Sequence, residues 1–329
     1  MPLSGRGGTT LPPPARGVLA ALVASLAIAL PAGPLAAQMV APDAVGLCFE
    51  GSANPELDVQ YCGIAIESGE LSGRSLATLY AQRGRAYIEI ARADQAKLDF
   101  ERALALNPLS ADAYHGRGLA HHAAGDFAAA IRDFDVALEL SPSFVEALRS
   151  RATARLYQGD LAAAIRDFDA ELRRVPLDDV GRILRGLAYY ASGQHVQAVE
   201  DLAAATAEGY PYRFLPLWLF LAQARSGIDG GAGLAAARNE LEPRKWPAPL
   251  FDHYLGDADA ASVIAALAAL PPSVQQTRRG EAHLFIGESA RLAGDATAAR
   301  QHLTAAMAAA DRRSVEWAMT KALLAQIER

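Results

Sequence analysis

The sequence predicts an all-α fold: a solenoid of stacked helical hairpins, extended by further helices at its C-terminal end. Three observations carry this. Gly84, Gly118, Ala152 and Gly186 form one column at intervals of 34 residues without insertion. Ala96, Ala130, Ala164 and Ala198 form a second column in the same step, followed four residues on by Phe100, Phe134, Phe168 and Leu202. Pro108, Pro142 and Pro176 close the units, with Pro211 one residue off register. A repeat of this length is one helical hairpin that cannot bury its apolar face alone and must stack on its neighbours. Small residues let two antiparallel helices approach, the aromatic fills the space between them, and proline stops the second helix.

From Ala77 to Tyr212 these columns resemble the tetratricopeptide repeat family, whose units carry an aromatic, Leu-Gly, Tyr, Ala, Phe, Ala and Pro at fixed offsets. This chain departs from that pattern at several places. Arg83, Arg117, Arg151 and Arg185 stand at the Leu position, Ala152 replaces a Gly, and His121 and Arg155 stand where Tyr87 and Tyr189 do. Glu171 replaces the later Ala. The resemblance implies four hairpins over residues 77–212, with the first helix of each lining a concave groove for a protein or peptide. Gly125-Asp126, Gly159-Asp160 and Gly193-Gln194 mark the turns inside the hairpins, where glycine tolerates the left-handed conformation.

Residues 1–37 read as an export signal: Arg6 and Arg16, an apolar run from Val18 to Leu30, then small residues up to Ala37. That three-part order is the pattern of a secretory signal peptide, and the run is shorter than the roughly 20 residues that span a bilayer. No Cys lies near the expected cleavage point, so neither a lipid nor a stable membrane anchor is expected, and the expected location is the periplasm. The chain is acidic, with a formal charge of -6, and loss of Arg6 and Arg16 makes it more so. That balance argues against a nucleic-acid partner. The two cysteines, Cys48 and Cys62, lie in the segment 38–76 and are expected to pair in an oxidising compartment. Cys62 also lies 34 residues before Ala96, in the small-residue column of a degenerate half-repeat.

After Tyr212 the register fails, although helical patterning continues over 213–329. Arg213 to Ser226 reads as a helix with Pro216 in its first turn, Gly227 to Gly233 as a loop, and Leu234 to Leu241 as a helix. Trp246 to Asp257 turns through two prolines into a short helix, and Ser262 to Leu270 follows until Pro271-Pro272. Gly280 to Ala309 repeats the hairpin spacing through Gly287, Ala299, Leu303 and Ala306, and Val315 to Glu328 is suited to capping the exposed end. The stretches LPLWLFLA, WPAPLFDHYLGD, EAHLFIGESARLAGDATAARQHLTAAM and VEWAMTKALLAQI resemble, in that order, bacterial envelope lipoproteins of the NlpI family. That resemblance implies a dimeric adaptor for cell-wall hydrolases and a periplasmic protease. The lipid-bearing Cys of that family is absent from this chain, and the segment from Cys48 to Cys62 has no counterpart in its pattern.

No catalytic constellation appears. The seven His form no HExxH or similar pair, and there is no GxSxG, Walker loop or GxGxxG after a strand. No enzyme activity, cofactor or metal is therefore expected. Asp99, Asp133, Asp167 and Asp201 recur in one column, read as an outer face where Asp99 meets Arg102, and Arg132 and Arg166 meet Asp135 and Asp169. Binding is expected in the groove, through Arg85, Asp112, His115, Leu119, His122, Arg149, Tyr157, Ile183, Leu187 and Tyr190, since mixed basic, aromatic and apolar groups suit a peptide or helix. The expected function is a non-enzymatic adaptor for envelope proteins. The alternative is a structural protein, a homodimer for instance, whose C-terminal helices self-associate and whose groove is filled by its own chain.

Overall fold

The computed structural model describes residues 41–328, so the expected export signal lies outside the described residues. All regular structure there is helical. A short first hairpin, α1 (Ala41–Glu50) and α2 (Pro55–Glu67), precedes four full ones: α3 (Gly73–Glu89) with α4 (Ala93–Leu106), α5 (Ala111–Ala123) with α6 (Phe127–Leu140), α7 (Val145–Gln158) with α8 (Leu161–Leu172), and α9 (Asp179–Ala191) with α10 (His195–Ala207). Cys48 and Cys62 are disulfide-bonded and buried, so the bridge ties the two helices of the first hairpin together.

The columns do the packing the sequence assigns to them. A Cβ on Gly118 would lie 2.5 Å from the Phe134 ring, and one on Gly84 would lie 2.9 Å from Phe100. Ala96, Ala130, Ala164 and Ala198 are fully buried. The Gly-Asp turns combine two local signals. Gly125 and Gly159 adopt φ of +81° and +97°, and the following Asp126 and Asp160 accept from Ala129 N–H and Ala163 N–H as N-caps. The α3–α4 turn has neither device: Ala91 stands in the glycine column with φ +57°, and Arg92 makes no side-chain cap.

The aspartate column is not an outer face. Asp99, Asp133, Asp167 and Asp201 are 1%, 6%, 5% and 7% exposed. Each accepts two bonds from the arginine 16 residues earlier, in the Leu column: Arg83, Arg117, Arg151 and Arg185, all between 2.7 and 2.9 Å. A buried carboxylate is costly unless it is paired and hydrogen-bonded, and the planar guanidinium supplies both bonds at once. Arg102 does meet Asp99, at 3.1 Å. Asp135 and Asp169, expected to pair within their own helices, instead pair at 2.6 and 2.7 Å with Arg151 and Arg185 of the next hairpin. Arg151 and Arg185 thus each clamp two successive hairpins.

Glu171 is fully buried on α8 and accepts from Arg149, which also donates to Asp178. Burial pushes its carboxyl above the usual range, against the pull of Arg149. Gly181 makes room for it, since a Cβ there would lie 2.9 Å from Glu171 Oε2.

Beyond the array run α11 (Leu215–Arg225), α12 (Gly231–Asn239), α13 (Ala248–Leu255), α14 (Ala260–Ala266) with a 3-10 turn at Leu267–Ala269, the hairpin α15 (Pro272–Leu292) with α16 (Ala296–Ala309), and α17 (Val315–Ile327). Two boundaries differ from expectation. Gly231 and Gly233 lie inside α12, which docks Leu234 in the core at 2% exposure. Pro272 opens α15 rather than only ending the previous helix, because the first helical position needs no N–H donor. One core joins the fourth hairpin to the C-terminal helices, through Tyr190, Phe214, Trp218 and Phe285.

Candidate protein-binding face

The first helices α3, α5, α7 and α9 present one continuous inner face, and their sequences decide how much of it stays open. α17 packs on both helices of the last hairpin, α15 and α16, with Arg291 and Arg300 donating to Gln326 and to Ile327 O, and it also reaches inward. It folds back onto α7 and α9 because its Trp317 finds an aromatic seat there, stacked on Tyr157 at 6.3 Å between centroids and tilted against Phe127 at 6.1 Å. Tyr157 Oη donates to Arg313 O at 2.8 Å. Lys321 Nζ donates to Tyr157 O and Gln158 O, both at 3.0 Å, which satisfies the free carbonyls at the α7 C-terminus with a cation. Gln326 donates to Ala191 O at the end of α9, and Tyr212 Oη donates to Glu316 at 2.9 Å.

This placement divides the expected groove residues. Tyr157, Ile183, Leu187 and Tyr190 are 5%, 5%, 0% and 1% exposed, so they are core residues and not open to a ligand. Tyr190 donates to the fully buried Glu288 of α15 and packs on Trp218. Burial raises both the Tyr157 and the Tyr190 hydroxyls above their ordinary range. Arg149 is occupied by Glu171 and Asp178. At the four buried positions the expectation fails because helical spacing shows which residues share a face, while the chain's own C-terminal third decides what covers it; at Arg149 it fails because two carboxylates of the array itself hold the guanidinium.

Arg85, Asp112, His115, Leu119 and His122 lie on the N-terminal part of the face. Arg85 and Asp112 pair at 3.3 Å with side chains 50% and 64% exposed, and they border a cleft of about 250 Å³ with Ala81, Gln82 and Ser110. His115 Nε2 is 2.9 Å from Ser150 Oγ, with its ring against Phe134 and Phe144. His122 sits edge-on to Phe127 and Tyr157. Burial holds both imidazoles down to about 4, with the Arg85 charge a second cause for His115. Leu119 packs on Phe134 and Ala130. These residues do not converge on a reacting atom, and among the described residues no three metal-ligating groups converge either.

Two stretches, residues 82–143 and 149–213, match the tetratricopeptide repeat family model. The repeat region is a tetratricopeptide array. No curated protein matches the chain. Among solved structures, a tetratricopeptide repeat protein from Parabacteroides merdae is similar at 13% identity, covering 90% of this chain and 100% of its own, with a TM-score of 0.52. The Cut9–Hcn1 hetero-tetramer of the APC/C is similar at 14% identity, with coverage of 84% and 53% and a TM-score of 0.50. MamA from Desulfovibrio magneticus is similar at 18% identity, with coverage of 50% and 93% and a TM-score of 0.47. The first two likenesses show the fold. Such arrays are scaffolds for protein and peptide interaction, and among the described residues no helix is long and apolar enough to cross a membrane.

Proposed function

We propose that this chain is a non-enzymatic adaptor, exported to the periplasm, that binds an envelope protein along the open N-terminal part of its inner face. The observation that carries the reading is the division of that face: α17 fills it over α7 and α9, while the cleft at Arg85 and Asp112 stays uncovered. Exposed charges of both signs beside Ala81 and Gln82 suit a polar peptide or helix with a charged flank. The resemblance of the C-terminal stretches to NlpI-type lipoproteins points to cell-wall hydrolases and a periplasmic protease as the partners.

The test is affinity capture from periplasmic extract, with bound proteins identified by mass spectrometry. An Arg85→Ala/Gln82→Ala variant is expected to lose most of the partner, since a hot-spot arginine contributes about 2 kcal/mol or more. Leu98→Ser, on the exposed side of α4, is expected to retain it. The opposite pattern overturns the proposal. The second reading, a structural protein without a groove ligand, draws on the self-occupied half of the face and predicts no capture by either variant or by the parent chain.

A further inference from the structure

Arg225 ends α11 and is half-buried. Its Nε and Nη2, the edge that grips a carboxylate with two parallel bonds, are both buried and meet no acceptor among the described residues. Other half-buried arginines are not left this way: Arg83, Arg117, Arg185, Arg238 and Arg291 each donate to an aspartate or glutamate. The Tyr190 hydroxyl of α9 lies in the field of Glu288, Arg225 and Arg291 at once. Glu288 of α15 is fully buried and cannot serve Arg225, because one oxygen accepts from Tyr190 Oη and the other from Arg291 Nη1 at 2.6 Å. His195, the first residue of α10, has its ring 5.2 Å from that of Tyr190. Burial, and then the charges of Arg225 and Arg291, hold this imidazole below its ordinary range.

The cluster is therefore short of negative charge and of acceptors. Near neutral pH it holds two guanidinium charges, Arg225 and Arg291, against the one carboxylate of Glu288. His195 Nδ1 and the neighbouring Ser226 Oγ are buried and unpartnered as well, and both can donate. A buried guanidinium is costly unless an opposite charge accepts from it; a lone water accepts without balancing the charge. A cleft of about 590 Å³ lies alongside, its wall including Ser192 and Gly193, just before His195, and Gln326, which accepts from Arg291 Nη2 at 2.7 Å. Lys321 adds a cation to that wall, its ammonium held by carbonyls, while the carboxylate there, Asp160, is committed to capping α8.

We propose that a halide-sized monovalent anion, chloride, enters by this cleft and binds against Arg225, accepting from Nε and Nη2 and from His195 Nδ1–H. A spherical ion of this size suits donors that are buried and come from different helices. It balances the charge of the cluster and ties α10 to α11 at the joint between the repeat array and the C-terminal helices. A ligand that binds only the folded chain also stabilises it, in proportion to the logarithm of its concentration above the dissociation constant.

Crystals of the full chain grown with bromide in place of chloride, with data collected at the bromine edge, test the site directly. The expected result is an anomalous peak in hydrogen-bond reach of Arg225 Nε and Nη2. In solution, the urea midpoint at fixed ionic strength should rise as gluconate, too bulky to enter, is replaced by chloride. Arg225→Met keeps the aliphatic packing and should lose both the peak and the chloride dependence. Arg225→Lys keeps the charge but not the two-pronged edge, and should need about tenfold more chloride for the same rise, the loss of one charge-assisted hydrogen bond. No peak at Arg225, or an ordered water there instead, overturns the proposal. So does a midpoint that follows ionic strength but not chloride, or a chloride dependence that Arg225→Met retains. Both measurements on the parent chain stand if Arg225→Met fails to fold.

Discussion

Ala91 is the one residue of the glycine turn column that carries a Cβ, and its φ of +57° places it where an L side chain meets the following carbonyl. That conformation costs roughly 1–2 kcal/mol for a non-glycine residue, against roughly 0.5–1 kcal/mol of chain entropy that a glycine adds to the unfolded state. Ala91→Gly is therefore expected to stabilise the protein by about 0.5–1 kcal/mol, read as an upward shift of the urea midpoint. A downward shift would show that the turn is relaxed by its neighbours. Residue columns were legible here because each sits at a fixed phase of the repeat. The Arg-Asp pairs were partly legible as well: two charged columns recurring in step, 16 residues apart, are the signal, although reading exposure from charge alone put the aspartates on the wrong side of the helix.

At the scale of elements, α17 shows how local patterning can be right about a helix and silent about its seat. VEWAMTKALLAQI forms the expected helix against the last hairpin, yet Trp317, Lys321 and Gln326 also engage different parts of α7 and α9. Trp317 is 9% exposed, and removing a buried Trp side chain typically costs about 3–5 kcal/mol. Trp317→Ala is expected to lower the urea midpoint by the equivalent of about 3 kcal/mol and to hasten proteolytic cleavage near Arg313. A midpoint equal to that of the parent would mean that α17 does not dock on the inner face. Sequence placed the start of α15 too late for a related reason. Proline ends one helix and begins the next, and which role governs depends on whether an apolar face downstream has something to pack against.

The whole molecule is expected to lose stability on acidification through its buried imidazoles. His115 and His122 titrate at about 4 when folded and near 6.5 when unfolded, so the unfolded chain binds more protons in between. Their contribution is complete above pH 6.5 and is lost as the pH falls toward 4. With allowance for partial exposure this is on the order of 2 kcal/mol for each. The urea midpoint should fall between pH 7 and 5, and His122→Phe should flatten that fall; an equally steep profile would assign the loss to other groups. By itself the sequence determined the hairpins, their turns and the pairing of their faces, because contacts between adjacent repeats recur at every 34-residue step and print a period on the chain. Only the tertiary structure decided which stretch of the inner face is open and which is filled by the chain itself. Those follow from α17 meeting helices more than a hundred residues away, a contact made once, with no repetition in the sequence to reveal it.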